Sequence, residues 1–218
     1  MSNQLVNRIL SSIILLPLSI FIIYEGALFF NFFIILCCII AIYEWYKMIR
    51  NKIYKIFGYI FLFFIFYCFY SIRNNFFGEY IYTYFILLVC ISTDIGGYVF
   101  GKLFKGPKLT KISPNKTYSG SIGSYILSFI SSFVFIKYLE TIYNIHYSFE
   151  IILFVLIISS TSQLGDILIS YFKRMSKIKD TGNIIPGHGG ILDRIDGIII
   201  AIPLCYILLS LNFFNFIK

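Results

Sequence analysis

The chain has 218 residues, 59% of them hydrophobic and 20% aromatic, with 13% charged and a formal net charge of +8. A soluble domain carries roughly 25% charged residues; with a mean hydropathy of +0.85, this composition excludes a soluble globular fold and reads as an integral membrane protein. The surplus cations flank apolar runs and form no soluble basic face, so nucleic acid is excluded as a partner and topology accounts for the charge.

Apolar runs, measured against the roughly 20 residues that cross a hydrocarbon core, predict seven helical spans near residues 6–24, 27–43, 56–72, 80–98, 120–139, 150–172 and 194–216. The fold class is therefore all-α and polytopic, with residues 1–218 forming a single membrane-embedded domain and no room for a separate soluble one. The first span follows Arg8 and lacks a small-residue cleavage site, so it is expected to anchor rather than to be a cleaved signal. Only Glu25-Gly26 separates it from the second span, which predicts a tight helical hairpin.

With the N-terminus inside, the inner segments hold Arg8, then Lys47, Arg50, Lys52 and Lys55, then Lys102, Lys105, Lys108, Lys111 and Lys116, then Lys173, Arg174, Lys177, Lys179 and Arg194. Only Arg73, Lys137 and Lys218 fall outside. Cytoplasmic loops retain Lys and Arg during insertion, so this asymmetry predicts the orientation. Glu25, Glu79, Glu140 and Glu150 then face outward, whereas all five aspartates face the cytoplasm, and so does any chemistry they perform. The cysteines Cys37, Cys38, Cys68, Cys90 and Cys205 lie in apolar runs without paired spacing and read as buried small hydrophobes.

Three clusters carry candidate chemistry. The first runs from Ser92 through Asp94, Gly96 and Gly97 to Tyr98, and continues at Ser113-Pro114-Asn115-Lys116-Thr117. Glycines admit a close anion, and Ser113, Lys116 and Thr117 offer donors, although Gly and Ser equally mark helix packing. Asn115-Lys116-Thr117 matches a glycosylation sequon, but the topology places it inside.

The second cluster is Gln163-Leu164-Gly165-Asp166, seven residues before Lys173-Arg174. On one helix, Asp166 and Lys173 lie two turns apart on one face, about 10 Å along the axis. A structural ion pair is the competing reading. The third is Pro186-Gly187-His188-Gly189-Gly190 followed by Asp193-Arg194-Ile195-Asp196. Asp193 and Asp196 share a helix face, and paired carboxylates there suit a divalent ion. Arg194 can reach a phosphate, while His188 either contacts substrate or merely orders its loop. Lys179 and Asp180 lie between the two clusters, and an ordinary solvated helix end accounts for Asp180 adequately.

The run from Ser170 to Asp196, with Lys173-Arg174, Lys179-Asp180, Gly182, the Pro-Gly-His-Gly-Gly turn and Asp193-Arg194-Ile195-Asp196, closely resembles the signature of phosphatidate cytidylyltransferases. Gln163 to Asp166, the stretch around Asp94, residues 113–117 and Glu44-Trp45 are similar to that family's other landmarks. Two positions depart from the pattern: Asn115 stands where a second Lys is common, and Gly197 where Ser is usual. Neither removes a carboxylate, so activity is expected to survive both.

The resemblance implies eight or nine spans, against the seven counted here. It also implies transfer of a cytidylyl group from CTP to phosphatidate, for phospholipid biosynthesis in a bacterial-type inner membrane. It places Mg²⁺, with K⁺ as a candidate second ion, on Asp166 and Asp193, with Asp196 as a helper. Lys173, Arg174, Lys179, Arg194 and Lys116 would clamp phosphates, and Ser113, Thr117, Asp180, His188 and Asp94 would contact substrate. CTP and membrane lipids are the implied partners, and a homodimer is left open. Two rivals stand beside this reading: a CTP-dependent lipid kinase, and an anion transporter, which the lack of an internal repeat disfavours.

Overall fold

A computed structural model of the chain describes residues 15, 17–76, 80–110, 112–143, 145–182, 184 and 189–214. Among these, regular structure is helical: α1 over residues 17–25, α2 (Ala27–Met48), α3 (Lys52–Asn75), α4 (Tyr80–Phe104), α5 (Tyr118–Tyr143), α6 (Phe149–Met175), α7 (Leu192–Ile195) and α8 (Ile198–Ser210). The expectations placed on residues 6–14 and 16, Glu79, Lys111, Pro186, Gly187, His188, residues 215–216 and Lys218 lie outside the described residues.

Five helices, α2 to α6, are long and apolar enough to cross a membrane, and they coincide with the second to sixth spans read from the sequence. The chain is an all-α, polytopic integral membrane protein. Most helices overrun their predicted limits because polar residues such as Lys52 and Arg174 extend the turns beyond the apolar stretch. The seventh span is corrected to two pieces: α7 and α8 are interrupted at Asp196 and Gly197, although both keep helical dihedrals. Together residues 192–210 measure about 28 Å at 1.5 Å per residue.

The helix starts follow local chemistry. Asn51 accepts the Ile53 amide at 2.9 Å to begin α3, and Ser148 accepts that of Ile151 to begin α6. Between α1 and α2 the chain breaks at Gly26, whose φ of +64° favours a residue without Cβ.

At the centre of the bundle, α4 touches α3, α5, α6 and α8. Phe85 stacks on Phe154 of α6, with ring centroids 6.1 Å apart, and tilts against Phe135 of α5. The closest seam joins α4 to α5. A Cβ built on Gly96 would stand 2.4 Å from the Gly123 carbonyl oxygen, and one on Gly120 would stand 2.7 Å from that of Gly97. Ser124 reinforces the seam by donating to the Thr93 carbonyl at 2.7 Å. This is helix packing through small residues, so Gly96 and Gly97 are not the anion-admitting loop that composition alone permits. All five cysteines are free, and all but Cys37 are buried.

Candidate functional site

The loop joining α4 to α5 folds back on itself. Leu109 donates to the Lys116 carbonyl at 2.7 Å, and Tyr118 donates to that of Pro107. Thr117 accepts the Gly120 amide at 3.1 Å and so caps α5. This geometry throws Lys116 across to α6, where its ammonium sits 2.8 Å from Asp166 Oδ2 and reaches the Gln163 carbonyl at 3.5 Å. Ser121 donates to Gln163 Oε1 at 2.5 Å.

Beneath this loop lies a cleft of about 280 Å³, lined by Asp94, Ser113, Asn115, Lys116, Thr117, Ser121, Gln163 and Asp166 among others. Residues from α4, α5, α6 and the 105–117 loop thus meet in one cavity, as their separate clusters predicted. The Nε2 donor of Gln163 is buried there without a hydrogen-bond partner. Thr117 faces the cleft with a hydroxyl already engaged in capping.

One helical stretch further along α6, Lys173 donates to Asp193 Oδ1 at 2.9 Å and stands 3.9 Å from Asp196 Oδ2. Asp166 and Lys173 do not pair with one another; each takes a partner from a different segment. Asp193 is heavily subscribed. Its Oδ2 accepts the amides of Thr181 and Gly190, at 2.8 and 3.0 Å, and lies 3.0 Å from the Thr181 hydroxyl oxygen. Burial raises the cost of ionising it, but the Lys173 ammonium and the two amides outweigh that and hold the carboxyl below the ordinary aspartate range.

Asp196 lies close enough to Asp166 for the two carboxyls to interact, and Asp94 feels Asp166, Lys116 and Arg194. Gly197 makes this closeness feasible, because a Cβ there would lie 2.9 Å from Ser162 Oγ and 3.4 Å from both Asp94 oxygens. The order across the site is therefore Asp94, Asp166, Asp196, Lys173 and Asp193, with Lys116 on Asp166. Arg174 lines an outer groove with Ile112, Pro114, Tyr171 and Met175. Lys179 and Asp180 are exposed in the loop after α6.

Asp166, Asp193 and Asp196 are hard oxygen donors of the type Mg²⁺ takes. Among the described residues no group of three potential ligands closes on one point. Mg²⁺ is commonly held by one or two carboxylates plus substrate phosphate oxygens and water. Asp166 and Asp196, as adjacent like charges, fit a divalent ion best. Asp193 has its oxygens committed to Lys173, Thr181 and Gly190.

Sequence reasoning gave Glu44 no role beyond likeness to a landmark. It is only 2% exposed and accepts three hydrogen bonds from the segment that carries Asp193. The signal was available, because a lone carboxylate in a 22-residue apolar helix is costly unless it is paired. Thr181 and Gly190 had no such signal.

Residues 6–75 and 55–212 match the model of the cytidylyltransferase family. The chain belongs to that family. It is 38% identical over 216 residues to the phosphatidate cytidylyltransferase of Rickettsia bellii, covering 94% of this chain and 90% of the relative. With that of Rickettsia felis it shares 37% over 91% of this chain and 89% of the relative. The Staphylococcus haemolyticus protein of the same name is 44% identical over 129 residues, which is 59% of this chain and 48% of that relative.

Proposed function

We infer that this family member is a phosphatidate cytidylyltransferase, joining CTP to phosphatidate to give CDP-diacylglycerol and pyrophosphate. The observation that carries the reading is the meeting, at one end of an apolar bundle, of a polar cleft with paired lysine–aspartate contacts from three chain segments. The phosphate of phosphatidate is already an anion and attacks the α-phosphorus of CTP. The oxygen bridging the α- and β-phosphorus then leaves with pyrophosphate. No strong general base is needed; the demands are alignment of two anions and neutralisation of the leaving group.

Lys116 and Lys173 are placed to meet those charges. Each already neutralises an aspartate, so an arriving phosphate can take over the ammonium while the released carboxylate turns to a cation. Asp166 and Asp196, with Asp193 beside them, would hold Mg²⁺, which when bound supplies charge neutralisation on the phosphates. Arg194 and Arg174 extend the cationic rim toward the lipid. Asp94, Ser113, Thr117 and the unpartnered Gln163 amide would contact the nucleotide in the cleft. The ends of α2, α4 and α6 that carry the cations share one side of the bundle, and we place that side at the cytoplasmic face of a bacterial inner membrane.

The test follows the phosphorus. Purified protein with phosphatidate and CTP should place α-phosphorus label and cytosine together in the lipid fraction, with γ-label released as pyrophosphate. Label from the γ-phosphorus in lipid, without cytosine, would establish the lipid-kinase alternative instead. Orientation is checked separately: in a background without native thiols, cysteine at position 177 should resist an impermeant maleimide on intact cells, and cysteine at position 146 should react.

A further inference from the structure

Glu44 lies in the last turn of α2, far in sequence from every residue so far given a chemical role. Its Oε1 accepts the Ile191 amide at 2.9 Å, and its Oε2 accepts the Leu192 amide at 2.8 Å and the Thr181 hydroxyl at 3.0 Å. The same Thr181 hydroxyl lies 3.0 Å from Asp193 Oδ2. One carboxylate therefore ties residue 181 to residues 191 and 192, immediately before Asp193.

Two glycines make the grip feasible. A Cβ on Gly182 would stand 2.8 Å from Glu44 Oε1, and one on Gly190 would stand 2.5 Å from Oε2. The helix end that carries Glu44 is itself wedged in place. Trp45 packs edge-on against Phe172 at 4.9 Å, donates to the Tyr54 carbonyl at 3.2 Å, and lies directly over Gly58. Neither Glu44 nor Trp45 lines the substrate cleft. A residue with these contacts acts through the loop and not on substrate.

We propose that Glu44 is a positioning residue: it ties Thr181 to residues 191 and 192 so that Asp193 is held in register with Lys173 and Asp196 for the transfer reaction. The proposal rests on the cytidylyltransferase reading for its consequence in turnover, and on the hydrogen bonds alone for its consequence in loop mobility. The sensitive substitution is Glu44→Gln. It keeps the volume, but one acceptor oxygen becomes an NH₂ that must face either the Ile191 amide or the Leu192 amide, donor against donor.

The experiment compares wild type, Glu44→Gln, Thr181→Val and the double variant as purified full-length protein. Without substrate, trypsin should cut after Lys177 and Lys179 faster in both single variants, reporting release of the loop. In turnover, kcat per folded molecule should fall about tenfold to a hundredfold, the range for residues that orient a ligand. KM for CTP should change by less than about threefold, and the Mg²⁺ concentration for half-maximal rate should rise. The double variant should be no worse than Glu44→Gln, because the two side chains form one unit.

Unchanged proteolysis together with unchanged kcat in Glu44→Gln would overturn the proposal, as would additive effects in the double variant. So would a loss of activity that tracks only the loss of folded protein. Should Glu44→Gln fail to fold, Thr181→Val decides: wild-type cleavage and kcat there also overturn it. A wild type without cytidylyl transfer would refute the functional reading, while the cleavage data would still judge the clamp.

Discussion

The two ends of the bundle both bury charge, and they do so in opposite ways. At one end Arg73, 6% exposed, donates to the main-chain carbonyls of Ile23 and Tyr24 at 2.7 and 3.1 Å and lies over the Phe30 ring. Those partners cannot titrate, exchange or leave. At the other end, Lys116 and Lys173 are satisfied by carboxylates, and Lys173 has a second carboxylate, that of Asp196, 3.9 Å away. The first arrangement fixes a chain reversal at Gly26. The second is a set of interchangeable contacts that substrate anions and a cation can repartition. The carbonyls around Arg73 hold structure, and the carboxylates around Lys116 and Lys173 can do chemistry.

That contrast breaks first at Asp166. Asp166→Asn keeps the shape but removes the negative charge, and kcat for CDP-lipid formation should fall by about 10³-fold or more, the scale of lost transition-state charge stabilisation. Asp180→Asn, altering an exposed loop carboxylate, should stay within about threefold. Lys116→Met should cost about 10²-fold in kcat/KM for CTP, with little change in lipid dependence. Arg73→Met sharpens the other half of the comparison. Stranding two buried carbonyls should lower unfolding stability by about 1–3 kcal/mol, read by thermal denaturation, with kcat per folded molecule unchanged.

The smallest effect concerns pH. Because the native environment depresses the Asp193 carboxyl, its stabilising contribution is complete above the unfolded value of 3.8 and is lost as pH falls through the lower native value. The stability gap between wild type and Asp193→Asn, measured without divalent ion, should be flat from about pH 8 to about pH 5 and close only in stronger acid. A gap that shrinks already near neutrality would contradict the contacts assigned to Asp193.

Hydropathy alone located α2 to α6, because spanning length is a property of consecutive residues. It could not foresee the interruption of the last helix at Asp196 and Gly197, where the approach of Gly165 and Ser162 from α6 decides the backbone. The candidate site was legible in outline: Asp166, Lys173, Asp193 and Lys116 each stood out as polar groups beside apolar runs. Their partners were not, since Asp166 pairs with Lys116 across 50 positions and not with Lys173 on its own helix. Gly96 and Gly97 invited an anion-binding reading because sequence cannot tell a loop glycine from one that presses two helices together. Glu44 was visible as an anomaly, but its purpose depends on a loop 147 positions away.

The α4–α5 seam has a mechanical consequence. Gly96 meets the Gly123 backbone, Gly120 meets that of Gly97, and the Phe100 side chain seats on Gly123, so any added side chain would force the two helices apart. These two helices therefore travel as one rigid plate forming the floor and one wall of the cleft. Breathing of the cavity to admit a nucleotide or release a lipid must come from its other boundaries, the 105–117 flap and the polar half of α6, where Lys116 and Asp166 serve as the catch between them.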